Sequence, residues 1–283
     1  MNAPHEPLLV PALSRLVEDS AASAGHAFAC ITARREHGVK SVQVERGQLA
    51  VVLRGTKTVR HGATSLHYAP GDMLVMAAGH RLDVVNIPDT ADGRYLTVAL
   101  PLCDEVLASA RMLWGPLVPQ ASNPIGKVAA AQVEREMTGW IDALATGREA
   151  GARLALTALT LRLCELGHTA LLVPPTATVA ARVRALVAQA PQRDWRSADF
   201  EQDLGMSGAT LRRRLSEERT RLRDVVSDAR LACALDLLYT TRWPIKTVAD
   251  KVGYQSAASF VQRFKERYGL EPARIGNSTE APG

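Results

Sequence analysis

Long apolar runs are missing from this 283-residue sequence, and none reaches the roughly 18 uninterrupted apolar residues of a membrane-spanning helix. The first twenty residues, MNAPHEPLLVPALSRLVEDS, lack a basic stretch ahead of an apolar run and are broken by three prolines, so no export signal is expected. Cysteine is scarce. Cys30, Cys103, Cys164 and Cys233 stand singly, with no CxxC pair, which excludes a disulfide scaffold and fits a reducing, cytoplasmic setting. There is also no nucleophile motif and no phosphate-cradling loop, and the Ser, His and Asp residues show no arrangement suited to acyl transfer. These absences predict a non-enzyme without a cofactor, a bound metal or a membrane partner.

What is present is globular in texture and uneven in charge. Hydrophobic residues make up 47% and charged residues 22%, enough for two packed domains. The net charge is +5, yet residues 1–172 hold 16 basic and 16 acidic side chains against 18 and 13 in residues 173–283. The whole excess is C-terminal, as an electrostatic footprint for phosphates requires. Five charges alone also suit an ordinary solvated surface; it is together with the helices described next that residues 173–283 alone are expected to bind DNA.

Within that part, WPIKTVADKVGYQSAASFVQRFKERYGLEP spells two short helices joined by a tight turn. Pro244 suits a first helical position, Ile245, Val248, Ala249 and Val252 follow at helical spacing, and Gly253 stops the helix. Ser256 caps a second helix whose Phe260 and Phe264, four and eight residues on, form one buried stripe ended by Gly269 and Pro272. A second copy lies upstream. In EQDLGMSGATLRRRLSEE, Gly205, Ser207, Leu211 and Leu215 repeat the roles of Gly253, Ser256, Phe260 and Phe264 at the same offsets from the serine. At about 100° per residue, offsets two and six point away from the stripe. The candidate DNA-contacting residues are thus Ser207, Ala209, Thr210, Arg212, Arg213 and Arg214 in the first copy, and Gln255, Ser256, Ala258, Ser259, Gln262, Arg263 and Lys265 in the second. At offset six, Arg213 matches guanine O6 and N7 while Gln262 matches adenine N6 and N7, with Arg214 and Arg263 expected on the backbone.

On LGMSGATLRRRL, on Arg230 and Ala234 in RLACALDLL, and on IKTVADKVGYQSAASFVQRFKERYGLEP, the C-terminal third resembles the DNA-binding domain of the AraC/XylS family of bacterial transcription regulators. The likeness covers roughly residues 176–275, and RRRLSEERTRLRDVVSDARLACAL is nearest the subgroup of virulence and acid-response regulators. It implies promoter double-stranded DNA as the partner and, for an activator, RNA polymerase. Between the copies, Asp224 to Tyr239 reads as a helix about 24 Å long, which with the helix radii places the two recognition helices about one DNA turn apart. Two positions depart from the family pattern. Glu201 stands four before Gly205, where the second copy has Ala249, so either the helix rolls to expose it or Arg212 to Arg214 reach it. The family's usual glycine after the first recognition helix is absent, its place taken by Arg221.

From Phe28 to Leu100 short β-rich runs alternate with glycines, predicting a small barrel or sandwich. Pro70-Gly71-Asp72 ahead of Met73 to Met76 resembles the PGD turn of cupin-like barrels, the N-terminal sensor domains of the same family. A metal cupin supplies two histidines one residue apart; here no two are closer than six positions, so His26, His37, His61, His67 and His80 are expected to be structural or solvent-facing, with His61 and His67 the nearest to an exception. From Val128 the period turns helical through Val133, Met137, Trp140, Ile141 and Leu144, and ARLALTALTLRLCELG follows as a helix apolar on most sides. Either could pack in the core or join two copies as a homodimer. Pro174-Pro175 reads as a linker.

The reading is α+β: residues 1–103 a cupin-like β-barrel for sensing or dimerisation, 104–172 a helical connector, and 173–283 an all-α double helix-turn-helix domain. Family members take small organic ligands, and related virulence regulators bind fatty acids, so an effector of that kind is implied by the resemblance. The competing readings are a cupin enzyme with a DNA-binding appendage, and an architectural protein binding DNA without sequence choice.

Overall fold

The computed structural model describes residues 9–20, 28–118 and 123–275, so His26 lies outside the described residues. The described elements are α1 (Leu9–Ser20), β1 (Ala29–Ala33), β2 (His37–Val44), β3 (Gln48–Arg54), β4 (Thr56–His61), β5 (Thr64–Tyr68), β6 (Asp72–Met76), β7 (His80–Ile87), β8 (Tyr95–Pro101), α2 (Asp104–Leu113), β9 (Ile125–Ala129), α3 (Glu134–Ala145) and α4 (Glu149–Glu165). They continue with α5 (Val179–Gln189), α6 (Ser197–Leu204), α7 (Gly208–Glu217), α8 (Leu222–Thr240), α9 (Ile245–Lys251) and α10 (Ala257–Tyr268). The chain divides into two compact units, residues 1–36 with 43–175, and residues 37–42 with 176–283.

The first unit is layered. A five-stranded sheet in the order β1-β8-β3-β6-β9 and the strands β7-β4-β5 of a second sheet are not closed into one barrel. The central strand β3 is buried on both faces, and its alternation sorts them: Leu49, Val51 and Leu53 pack with α1, α3 and α4, whereas Ala50 and Val52 pack with Val59 and Tyr68 of the second sheet. β6 divides in the same way, with Met73 and Val75 on the helical side and Leu74 and Met76 on the other. The turn before it is built by its own residues: Gly71 adopts φ 88, the Ala69 N–H donates to Asp72 Oδ2 at 2.7 Å, and the Asp72 N–H returns to the Ala69 carbonyl at 2.9 Å.

Val128, expected to open a helix, instead lies in β9, which pairs antiparallel with β6 through Met73↔Val128. The helical period starts at Glu134, after a short 3₁₀ turn. Val133, Met137 and Trp140 are fully buried in the first unit's own core, Trp140 meeting Phe28 edge-on at 6.0 Å, so these side chains are not free to join two copies. α4 belongs to the same core, and its buried Thr157 and Thr160 hydroxyls donate to carbonyls four residues back.

The second unit is all-helical outside residues 37–42. Val179, Val183 and Val187 of α5 meet Phe200, Leu204, Leu211, Leu215, Val225 and Ala229 in one cluster. Pro244 takes the N-cap position just before α9 rather than the first helical one, and α8 is a turn longer than expected, with 19 residues. None of the described helices is long and apolar enough to cross a membrane.

Candidate nucleic-acid interface

Each helix pair of the second unit is built by the same local devices. Ser207 caps α7, accepting from the Thr210 N–H at 3.3 Å, and Ser256 caps α10, accepting from the Ser259 N–H at 3.4 Å. Leu211 and Leu215, like Phe260 and Phe264, are 0–1% exposed, so the predicted stripe is the buried one in both copies. Gly205 (φ 64) and Gly253 (φ 81) make the turns in the left-handed region. At Gly253 a side chain is also excluded by space: a Cβ would stand 2.7 Å from the Pro191 carbonyl oxygen and 3.0 Å from the Arg230 guanidinium. Arg230 is fixed there by donating to the Pro191 and Arg193 carbonyls at 3.0 and 2.8 Å. It thereby locks α8 to the loop before α6.

With the stripes inward, Ala209, Arg212, Arg213 and Arg214 are exposed on α7, as are Ala258, Ser259, Gln262, Arg263 and Lys265 on α10. The capping Ser207 and Ser256 and Gln255 are exposed, and Thr210 is half-buried with its hydroxyl 3.0 Å from Ser207. The two residues at offset six have matching partners. Arg213 donates to Glu217 at 2.9 Å and Gln262 donates to Glu266 at 3.0 Å, so each is held by a glutamate one turn on. Arg263 lies 3.9 Å from Glu266, while Lys265 donates to Glu271 at 2.9 Å, a contact that holds the Glu271 carboxyl below its usual range. Half-buried Arg267 instead pairs with Asp228 of α8 at 3.1 Å.

The two sequence departures resolve differently from expectation. Glu201 is reached neither by Arg212 nor by Arg214: its carboxylate accepts from the Ser197 hydroxyl at 3.1 Å and lies against Gly208, where a Cβ would stand 2.5 Å from its oxygen. A buried glycine at the start of α7 therefore makes the room that the second copy makes with Ala249, and the carboxylate sits beside a helix N-terminus, where negative charge is favoured. The left-handed residue after α7 is Arg219 (φ 56), not Arg221. Sequence reasoning also missed Glu218, whose two carboxylate oxygens accept from the Val179 and Ala180 N–H groups at 2.7 and 2.9 Å and so cap α5 from the end of α7. A carboxylate 39 residues from the helix it caps leaves no local signal.

In the first unit, the His67 ring lies 2.9 Å from the Thr58 hydroxyl, and His61 packs edge-on against His80 at 5.1 Å. Among the described residues no three of His, Cys, Asp or Glu come together as a metal site.

This arrangement, two serine-capped helices on glycine turns with polar faces outward, defines a DNA-binding helix-turn-helix domain, and residues 201–277 match the helix-turn-helix domain family model. The C-terminal part of the chain is a DNA-binding domain of the AraC/XylS type. It is 25% identical over 108 residues to the virulence regulon transcriptional activator VirF of Shigella flexneri, covering 38% of this chain and 41% of that protein. It is 28% identical over 109 residues to the transcriptional regulator YdeO of Escherichia coli, covering 38% and 43%. The likeness thus spans about two fifths of those relatives. In three dimensions the chain is similar to ToxT of Vibrio cholerae O395, with TM-score 0.57 and 12% identity over 88% of this chain and 96% of that one. It is also similar to ToxT of strain SCE256 with an unsaturated fatty acid bound, with TM-score 0.59 and 14% identity over 87% and 92%. At such identities the likeness concerns the fold.

Proposed function

We propose that this chain is a sequence-specific transcription regulator whose C-terminal helix pairs read promoter DNA, with the first unit tuning that activity through a small effector or self-association. The observation that carries the reading is the repeat: the same capped, glycine-turned pair occurs twice, each time with a hydrogen-bonding side chain outward at offset six, Arg213 or Gln262. These types match guanine and adenine edges respectively, and Arg214 and Arg263 at the flank suit phosphates. The names of the relatives describe activators and regulators, and catalysis is not part of the reading. The fold it shares with a fatty-acid-bound protein makes an unsaturated fatty acid or similar organic acid the first effector class to try. Self-association is assigned to α4, whose Leu154 is 70% exposed, and RNA polymerase is the further partner of an activator acting in the cytoplasm.

Competition binding tests the reading. Promoter fragments of the host genome, labelled and bound to the full chain, are challenged with bulk DNA of equal length; the cognate fragment should be preferred by about 10³-fold or more. A ratio near one would favour the architectural alternative.

A further inference from the structure

The two recognition helices end differently. α10 closes on Gly269, five residues past Phe264, with φ 79. α7 closes one residue earlier in the repeat, on Arg219, four past Leu215, with φ 56. The closing bonds are ordinary, from the Arg219 N–H to the Ser216 carbonyl and from the Thr220 N–H to the Leu215 carbonyl, both at 2.9 Å. Glycine would form them without the steric cost that a side chain carries in the left-handed region. A residue kept there against that cost marks a candidate functional position. The side chain in question is a guanidinium lining a cleft of about 660 Å³, together with Arg212, Arg221, Ser197, Ser216 and Thr220. Asp224 is the acidic residue in that lining.

The arginines of this cleft, like Arg214 and Arg223, lack an internal anion among the described residues, whereas other arginines of the unit have one. Arg213, Arg263 and Arg267 each pair with a carboxylate. Arg212, Arg219 and Arg221 are exposed and, among the described residues, form no ion pair or side-chain hydrogen bond. Three guanidinium forks without an ion-pair partner, sharing one cleft lining with two serines and a threonine, supply the donor types that a phosphate takes, against the single acid Asp224.

Resting on the DNA-binding reading above, we propose that Arg219, with Arg212 and Arg221, forms a clamp for a DNA backbone phosphate beside the first recognition helix, fixing the depth and register at which Arg213 meets the bases. The shared chemistry is a phosphate anion, and its source here is the phosphodiester of the duplex. The clamp carries no sequence information, so its loss weakens all DNA alike.

Arg219→Gly in the full chain separates this role from a structural one, because the substitution relaxes the backbone while deleting the guanidinium. Anisotropy titrations of a cognate and an unrelated duplex over a salt series should show affinity falling about 3- to 10-fold for both. The slope of log K against log salt should flatten by about one, with the melting temperature unchanged or raised. Arg219→Lys should keep the salt slope. Unchanged affinity and slope in Arg219→Gly, with the wild type still binding DNA, would overturn the clamp alone; a wild type that binds no DNA would overturn the parent reading. Inorganic phosphate at fixed ionic strength raising the wild-type melting temperature, while Arg219→Gly left DNA affinity intact, would give the cleft to a free phosphate and overturn the clamp as well.

Discussion

Lys57 faces into the amino-terminal sheets beside Val59, only 6% exposed, donating to the Asn86 side-chain carbonyl at 2.8 Å with the Tyr95 ring 5.6 Å away. Burial pushes its amine down to about 7 from an ordinary 10.5. Between those values the unfolded chain holds a proton that the folded one lacks, so stability should rise with pH from about 7, by up to about 1.4 kcal/mol per unit, and the full penalty should be present below it. Urea unfolding at pH 7 and 8.5 should show that rise in the wild type and a flatter profile in Lys57→Met; parallel profiles would contradict the assignment. The position was legible in part, since Lys57 shares strand parity with the buried Val59, but its partner Asn86 comes from the neighbouring strand β7. On the recognition helices, the glutamates that hold Arg213 and Gln262 are exposed, and such contacts contribute under about 1 kcal/mol, little enough for DNA to displace them. Glu266→Gln removes a negative charge from the face proposed to meet phosphates, so its affinity for duplexes of any sequence should rise a few-fold in the same titrations. A fall would mean that Glu266 itself accepts from a base.

At the scale of elements, the helix pairs were readable because each device that makes them is local. A serine cap, a stripe at offsets four and eight and a glycine stop all lie within a dozen residues, and all three stand where expected in both copies. β9 was not readable, because Val128 adjoins the helical period of Val133 and Met137 and nothing local announces its pairing with β6, more than fifty residues earlier. The Glu201–Gly208 exchange shows the same limit in miniature: the oversized side chain was visible in sequence, while the glycine that accommodates it belongs to the next helix. Gly253 is the element-scale test. An alanine there meets the left-handed penalty and the Pro191 carbonyl together, so Gly253→Ala should destabilise the second unit by about 2 kcal/mol or more in urea unfolding and weaken DNA binding with it. A change within about 0.5 kcal/mol would show that the turn tolerates a side chain and that the Arg230 lock is not rigid.

For the whole molecule, charge and repeat are legible in the sequence, because both accumulate over a hundred residues and neither depends on which strands pair. The layered first unit was legible as β-rich but not in its order, since the sequence β1-β8-β3-β6-β9 brings together segments far apart in the chain. The two recognition helices of one chain are expected to read two base edges about one helical turn apart. Selection of bound duplexes from a random pool by the full chain, repeated with Arg213→Ala and Gln262→Ala, tests it directly. The wild type should enrich an asymmetric motif with a G-containing and an A-containing half about 10 base pairs apart, and each variant should lose preference at one position of its own half, at a cost of about 1–3 kcal/mol on the selected site. A pool that stays random, or a motif that survives both substitutions unchanged, would contradict it.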